Sequence, residues 1–456
     1  MSPPVLLNDL PTLEDKLNWD YELDRLSQRI RDCSTPHVLG IHGDWGSGKT
    51  SFMRQLQSRL GGEIPNDGSV ATKMEHVENK IEGHEKIITI WFDAWRYQNE
   101  PVPVVALLHE MRRQIMVLPA VIAKFKKLGE IFLRYSLDSL ADVGKAIGFE
   151  GIPSAEKIEK LGVNWEKEHH AQTLHTDSIR KHLHETIKSL LPEDGDRVVV
   201  FIDDLDRCNP KAAIRLLEGL KIYLSIPNCV FVLGMNERML VDAIREEISA
   251  PKEILAEELK LRASHYLEKI CTDIYRLPLP TNEAELFSGW MAVENHKKIL
   301  TQVLGETSCL PPNPRRLKAL ANQWERFALC MPFPDSDNEQ QVWAVRVLVA
   351  AYVHQFHRDI WERWHFKPDF WVEFAGWCNG ERSKIADGEL VEPKWAAALK
   401  LTEQKTHEGD SQGPSTWASD FPNPGDINIF WMDGLIRKYR DQLSPIDFRP
   451  LLQSKQ

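Results

Sequence analysis

The sequence predicts an α/β protein built on a parallel sheet, followed by a largely helical C-terminal part. Three observations carry that prediction. A glycine-rich stretch, Gly43 to Thr50, stands between a short apolar run and a helical pattern. A second apolar run, Arg197 to Ile202, ends in two adjacent carboxylates, Asp203 and Asp204. Up to about Met239, β-rich and helical segments alternate, the pattern of strands joined by crossover helices.

Taken in order, Tyr21 to Arg31 has helical spacing, with Leu23, Leu26 and Ile30 on one face. Val38 to His42 is a short buried strand, and Ser51 to Leu60 is a helix beyond the glycine loop. Gly61 to Glu85 is polar and reads as a loop or small excursion; Lys86 to Phe92 is a second β-rich run. Val104 to Leu118 is helical, with Leu107, Met111, Ile115 and Leu118 in one stripe. The interval between Lys49 and Asp203 exceeds what a minimal nucleotide-binding core needs, so a helical insertion over about 103–190 is expected. Within it, Ile131 to Phe149 is amphipathic: packing against the core is the plainer reading, and its mixed charge weighs against a membrane-surface helix. Arg197 to Ile202 is the strongest strand. Asn209-Pro210 then starts a helix over Ala212 to Leu224, and Cys229 to Leu233 is a further buried strand. From Met239 the pattern is almost wholly helical, and Pro332 to Asn338 reads as a linker.

Composition narrows the class. Apolar residues make up 42% and charged residues 27%, so a sizeable core is expected. A net charge of −11 argues against a dominant nucleic-acid surface, though a local basic groove stays open. Seven cysteines without a Cys-x-x-Cys pair read as a reduced, cytoplasmic chain. There is no signal-peptide pattern and no apolar run long enough to span a membrane, so no transmembrane segment is expected.

The glycine stretch satisfies G-x-x-x-x-G-K-[ST] through Gly43, Gly48, Lys49 and Thr50, and lies between strand and helix as that motif's mechanism requires. Its glycines let backbone N–H groups turn around phosphate oxygens, and the helix N-terminus adds positive potential. Gly43, Trp45, Gly46, Ser47, Gly48, Lys49, Thr50 and Ser51 are therefore the candidate nucleotide-binding residues. Lys49 bridges the β- and γ-phosphates in this reading, and the Thr50 hydroxyl ligates Mg²⁺. At the acidic strand end, Asp203 is the second metal candidate and Asp204 polarises the attacking water. Asp206 and Arg207 are read first as surface ion-pair residues, with Arg207 as an arginine finger across a subunit boundary the sharper alternative. Asn236, just past the next strand, fits a γ-phosphate sensor or a local turn. Arg315, and second to it Arg316, opens a helix after a proline-rich turn and could reach back to the nucleotide, or lie solvated. No guanine signature Asn-Lys-x-Asp follows the loop, so ATP is the expected nucleotide. The histidines at 169, 170, 175, 182 and 184, and the pair His354 and His357, lack metal-ligand spacing with other donors.

The loop Gly43 to Thr50, the tract Trp91-Phe92-Asp93-Ala94-Trp95-Arg96-Tyr97 and Asp203-Asp204-Leu205-Asp206-Arg207-Cys208 together resemble the KAP family of P-loop NTPases. The likeness runs over roughly 8–327, through Tyr266 to Ile270 and Asn313 to Lys318. It implies an AAA-like parallel-sheet core with a helical lid and Mg-ATP as ligand. Bacterial members include phage-exclusion proteins and components of defence operons; animal members are membrane scaffolds. Many members insert transmembrane helices between the two nucleotide motifs, whereas the insertion here is charged and amphipathic. Family members often carry an acidic residue near the position of Asn236.

The expected organisation is a P-loop NTPase domain over 1–330, its helical lid over about 281–330, and a tryptophan-rich helical domain over 331–456. The expected function is an ATPase acting as a conformational switch or assembly platform, in antiviral defence by resemblance. A homo-oligomer and a protein partner from a neighbouring gene are expected. A nucleotide-gated scaffold with little turnover and a nucleic-acid-stimulated motor are the alternatives. In the C-terminal region, Phe356, Ile360, Trp361 and Trp364 place aromatic bulk on one face if helical. That face is either a core needing large side chains or a partner surface.

Overall fold

The computed structural model describes residues 7–62, 64, 69–70, 87–100, 195–223, 228–236, 256–305, 307–379, 395–401, 428–443 and 448–453, with isolated positions at 103–114, 187, 191, 241 and 385–393. Nearly all of the expected insertion over 103–190, with the amphipathic stretch 131–149 and the histidines at 169–184, lies outside the described residues.

The chain separates into two compact units: a sheet unit, residues 10–277, and a helical unit, residues 1–9 with 278–456. In the sheet unit, helix α1 (Asp20–Asp32) comes first, then β1 (His37–His42), α2 (Lys49–Arg59) and β2 (Ile87–Asp93). β3 (Arg197–Asp203), α3 (Pro210–Tyr223), β4 (Cys229–Met235), α4 (Ala256–Ile270) and β5 (Asp273–Arg276) follow. The strands form one sheet in the order β2-β3-β4-β1-β5, and every pairing is parallel. β3 and β4 are buried along their whole length, which explains their unbroken apolar runs. β2, at the sheet edge, alternates between buried and half-buried residues.

Helix α1 buries Leu23, Leu26 and Ile30, and its acidic first turn and basic last turn suit the helix dipole. On that side of the sheet Trp19, Phe52, Leu56, Phe201 and Val232 share one apolar cluster; Phe92, Val200, Ile202, Leu220 and Leu267 belong to the other. The four longer strands lie within a residue or two of their sequence-predicted spans. β5 was not expected, because its four residues, Asp273 to Arg276, begin and end with a charge in a stretch of helical pattern.

The helical unit contains α5 (Glu283–Gly289), α6 (Glu294–Gly305), α7 (Pro314–Ala328), α8 (Asp337–Phe356), α9 (Arg358–Phe366), α10 (Phe370–Cys378), α11 (Asp433–Tyr439) and α12 (Arg449–Gln453). α7 begins as its sequence dictates: the Asn313 side chain accepts a hydrogen bond from the Arg316 N–H at 3.2 Å, and Pro314 occupies the first turn. The division expected at 330 differs from the one seen. The segment expected as the lid, 281–330, groups with the C-terminal region, because Trp324 of α7 meets Trp343 of α8 edge-on at 5.6 Å and Phe327 stacks on Trp361 at 5.6 Å.

The aromatic face is interior. Trp343, Trp361, Trp364, Trp371 and Trp377 are all buried. Trp364 stacks on Trp371 at 4.9 Å, and both lie 4.5 Å from Phe448. The helix that would have joined Phe356 to Trp364 is interrupted at His357, whose backbone leaves the helical region at φ −132° and ψ 68°. His354 and His357 pack against rings: His354 meets Trp361 at 4.9 Å, and His357 lies 5.2 Å from Phe430.

Candidate nucleotide site

The site forms where β1, β3 and β4 end. β4 lies between β1 and β3, so the glycine loop after β1 and the acidic tip of β3 flank the residue that follows β4. The loop is anchored where the Gly43 N–H donates to the Met235 carbonyl at 3.2 Å. Gly46 and Gly48 have positive φ, and a Cβ at Gly48 would come within 2.7 Å of the Trp19 ring, so only glycine fits there. Gly48 caps α2, and a helix N-terminus leaves its first-turn N–H groups without intrahelical partners, as anion sites require.

Lys49 is buried. Its ammonium donates to the carbonyls of Gly43 (2.9 Å) and Asp44 (3.2 Å) and pairs with the Asp206 carboxylate at 2.8 Å. The Thr50 hydroxyl donates to the Asp203 carboxylate. Asp203 is fully enclosed, and burial raises its pKa against the lowering effect of that hydrogen bond. At Gly234 the sheet has no room for a side chain: a Cβ there would lie 2.9 Å from an Asp203 oxygen and 2.8 Å from the Met53 sulfur. The Ser47 hydroxyl is buried without a hydrogen-bond partner, and Asn236 is buried just beyond β4.

Asp204 adopts the left-handed conformation, φ 57° and ψ 27°, which a non-glycine residue takes at some cost in strain. That turn reverses the chain into a short 3-10 segment, Leu205–Arg207, and brings Asp206 back to Lys49. Burial first, then the neighbouring Asp203, pushes the Asp204 carboxyl up to about 7, with Arg207 opposing. The Arg207 guanidinium holds an Asp204 oxygen at 2.8 Å and lies 5.9 Å from the Trp95 ring. Asp93, the last residue of β2, is in register with Asp203, and one of its oxygens is buried without a hydrogen-bond donor.

The candidate residues thus divide. Gly43, Gly46, Ser47, Gly48, Lys49, Thr50, Asp203, Asp204 and Asn236 belong to the loop and the strand ends around it. Trp45 is 63% exposed, and the Ser51 hydroxyl accepts from the Thr12 N–H at 3.1 Å. Arg315 belongs to the helical unit, where its guanidinium pairs with Asp9 at 2.6 Å. Asp206 is not the surface residue the sequence suggested: its side chain is 7% exposed and serves as the counter-ion of Lys49. Asp93 was not singled out either. Its signal was the carboxylate ending a β-rich run, but the register that pairs it with Asp203 exists only in the folded sheet.

A glycine loop with a buried lysine, a threonine bonded to the aspartate of a neighbouring strand, and a parallel sheet with β4 between β1 and β3 define a nucleotide-binding P-loop NTPase with an AAA-like core. Within that class, the chain belongs to the KAP family: the family's P-loop domain matches residues 20–300. No curated protein matches the chain. Among solved structures, the ORC2 protein of Aeropyrum pernix, determined as ADPNP–ADP complexes, shows 12% identity and a TM-score of 0.34. The match covers 85% of this chain and 79% of that one, and is too distant to carry a functional inference.

Among the described residues, no helix is long and apolar enough to cross a membrane, and no group of His, Cys, Asp and Glu is arranged to hold a metal by itself. The Thr50–Asp203 hydrogen bond still fits magnesium held jointly with a nucleotide, where protein supplies one or two oxygens and phosphates supply others.

Proposed function

We propose that the protein is a magnesium-dependent ATPase of the cytoplasm that works as a conformational switch or assembly ATPase. The observation that carries this reading is the meeting of Lys49, the Thr50–Asp203 pair and Asp204 at one end of the sheet. In it, the loop N–H groups and Lys49 hold the β- and γ-phosphates. The Thr50 hydroxyl and Asp203 hold the magnesium ion, which supplies charge neutralisation across the phosphate oxygens. Asp204 orients and polarises the attacking water, a task that suits a carboxyl raised to about 7. Asn236 senses the γ-phosphate from β4.

One observation favours low basal turnover, the scaffold alternative. Arg207 holds Asp204 at 2.8 Å, and a base engaged in that way is restrained until the pair opens. The net charge of −11 weighs against a nucleic-acid motor. Action in bacterial antiviral defence, with a protein partner from a neighbouring gene, is part of the proposal and rests on family membership.

Two substitutions separate the roles. Asp204→Asn is expected to keep ATP binding while cutting turnover about a hundredfold or more, the size of a general-base contribution. Asp203→Asn is expected to weaken the magnesium dependence of binding. Wild-type turnover in Asp204→Asn would remove Asp204 from the chemistry. ATP-driven self-association is the second expectation, checked by sedimentation with a slowly hydrolysed ATP analogue; a strict monomer at micromolar protein would count against an assembly ATPase.

A further inference from the structure

The Lys49 ammonium donates to two loop carbonyls and stands 2.8 Å from the Asp206 carboxylate, an ion pair whose near oxygen accepts no hydrogen bond. Only Asp206 carries a charge. Lys49 and Asp206 have side chains 7% exposed, so water competes little with the pair. We propose that Asp206 is an internal competitor of the nucleotide: its carboxylate occupies Lys49 in the nucleotide-free protein, and phosphate must displace it to bind. The inference rests on the reading of Gly43–Thr50 as a nucleotide-binding loop.

Lys49 is the residue that meets the β- and γ-phosphates, so any anion already on it lowers the net gain from binding. Asp206 also shares a cluster with Asp203 and Asp204, whose carboxyls burial raises, and of the three it is the one held directly on the lysine. The arrangement is specific to the chain's turn. The left-handed Asp204 directs Leu205–Arg207 back toward the loop, and the same segment holds Asp204 through Arg207. Withdrawing Asp206 from Lys49 therefore acts on the segment that restrains Asp204.

The alternative is a support role, in which Asp206 merely holds Lys49 in its working orientation. The two roles predict opposite signs. Asp206→Asn keeps the shape and an oxygen that can accept from Lys49, but removes the charge. Competition predicts ATP and ADP binding about tenfold tighter with magnesium, since charge-assisted contacts are roughly twice as strong as neutral ones. It also predicts a lower melting temperature for the nucleotide-free protein, because the buried ammonium loses its counter-ion. Support predicts weaker binding.

The experiment is calorimetry with Mg-ATP and Mg-ADP on wild type, Asp206→Asn, Asp206→Ser and Lys49→Ala, with thermal melting of each protein without nucleotide. Tighter binding in either folded Asp206 variant, with a lower nucleotide-free melting temperature, is the result expected. Unchanged or weaker binding in folded variants overturns the proposal, and so does failure of both to fold, which would make the carboxylate a structural necessity. Absence of binding in the wild type would instead overturn the loop reading on which the inference rests; Lys49→Ala gives the baseline for that distinction.

Discussion

The two units bury different chemistry. The sheet unit encloses Lys49, Arg54, Arg197 and Asp203; Lys49 and Asp203 lie at the glycine loop and the tip of β3, whereas Arg54 lies within α2 and Arg197 begins β3. The helical unit encloses mainly tryptophans: Trp324, Trp343, Trp364 and Trp371 are among its largest fully buried side chains, beside the acid Asp433, which Arg437 pairs. A buried charge costs free energy unless it is paired. A buried ring needs only close neighbours and contributes through area and edge-to-face or stacked contact. The contrast locates the chemistry in the sheet unit and makes tryptophan content in the helical unit, taken alone, a sign of packing.

The largest effect is expected in the aromatic core. Trp364 is 1% exposed and is wedged between Trp361, Trp371 and Phe448. Trp364→Ala should destabilise the protein by about 3–5 kcal/mol, the usual range for a buried aromatic truncated to alanine. If packing is the role of that ring, ATP affinity measured below the melting transition stays at the wild-type value. A folded variant with lost ATP affinity would break the division of labour between the units.

A smaller effect separates the units by pH. His357 is buried beside the Tyr352 hydroxyl at 3.5 Å, and burial first, then the charge of Arg316, lowers its pKa to about 4 from 6.5. Its folded value lies below its unfolded value, so as pH falls below 6.5 the unfolded chain takes up the proton first. Stability is retained above pH 6.5 and lost as pH falls toward 4, by about 2 kcal/mol at pH 5. Chemical denaturation of wild type and His357→Gln at pH 7 and pH 5 checks it: the variant should lose less stability on acidification. Equal losses would place the acid-sensitive group elsewhere.

Much of the sheet unit was legible before folding. The runs at Val38 to His42, Arg197 to Ile202 and Cys229 to Leu233 are apolar because their strands are central, and the glycine motif needs particular residues at fixed spacing. β5 was not legible, since its four residues become a strand only by pairing with β1. Asp206 illustrates the harder limit. It lies in the same short motif as Asp203 and Asp204, yet its partner is set by the sign of one backbone angle at Asp204. The helical unit was legible in composition more than in arrangement. Its tryptophans were evident, but the break at His357 and the packing of α7 on α8 arise from tertiary contacts.

The central claim is that Gly43–Thr50 is the nucleotide-binding loop and Lys49 its main cation. Calorimetric titration of wild type and Lys49→Ala with ATP and Mg²⁺ tests it most directly. The account predicts binding by the wild type and loss of tight binding in the variant, with the variant still folded by circular dichroism. Unchanged affinity in folded Lys49→Ala would contradict it.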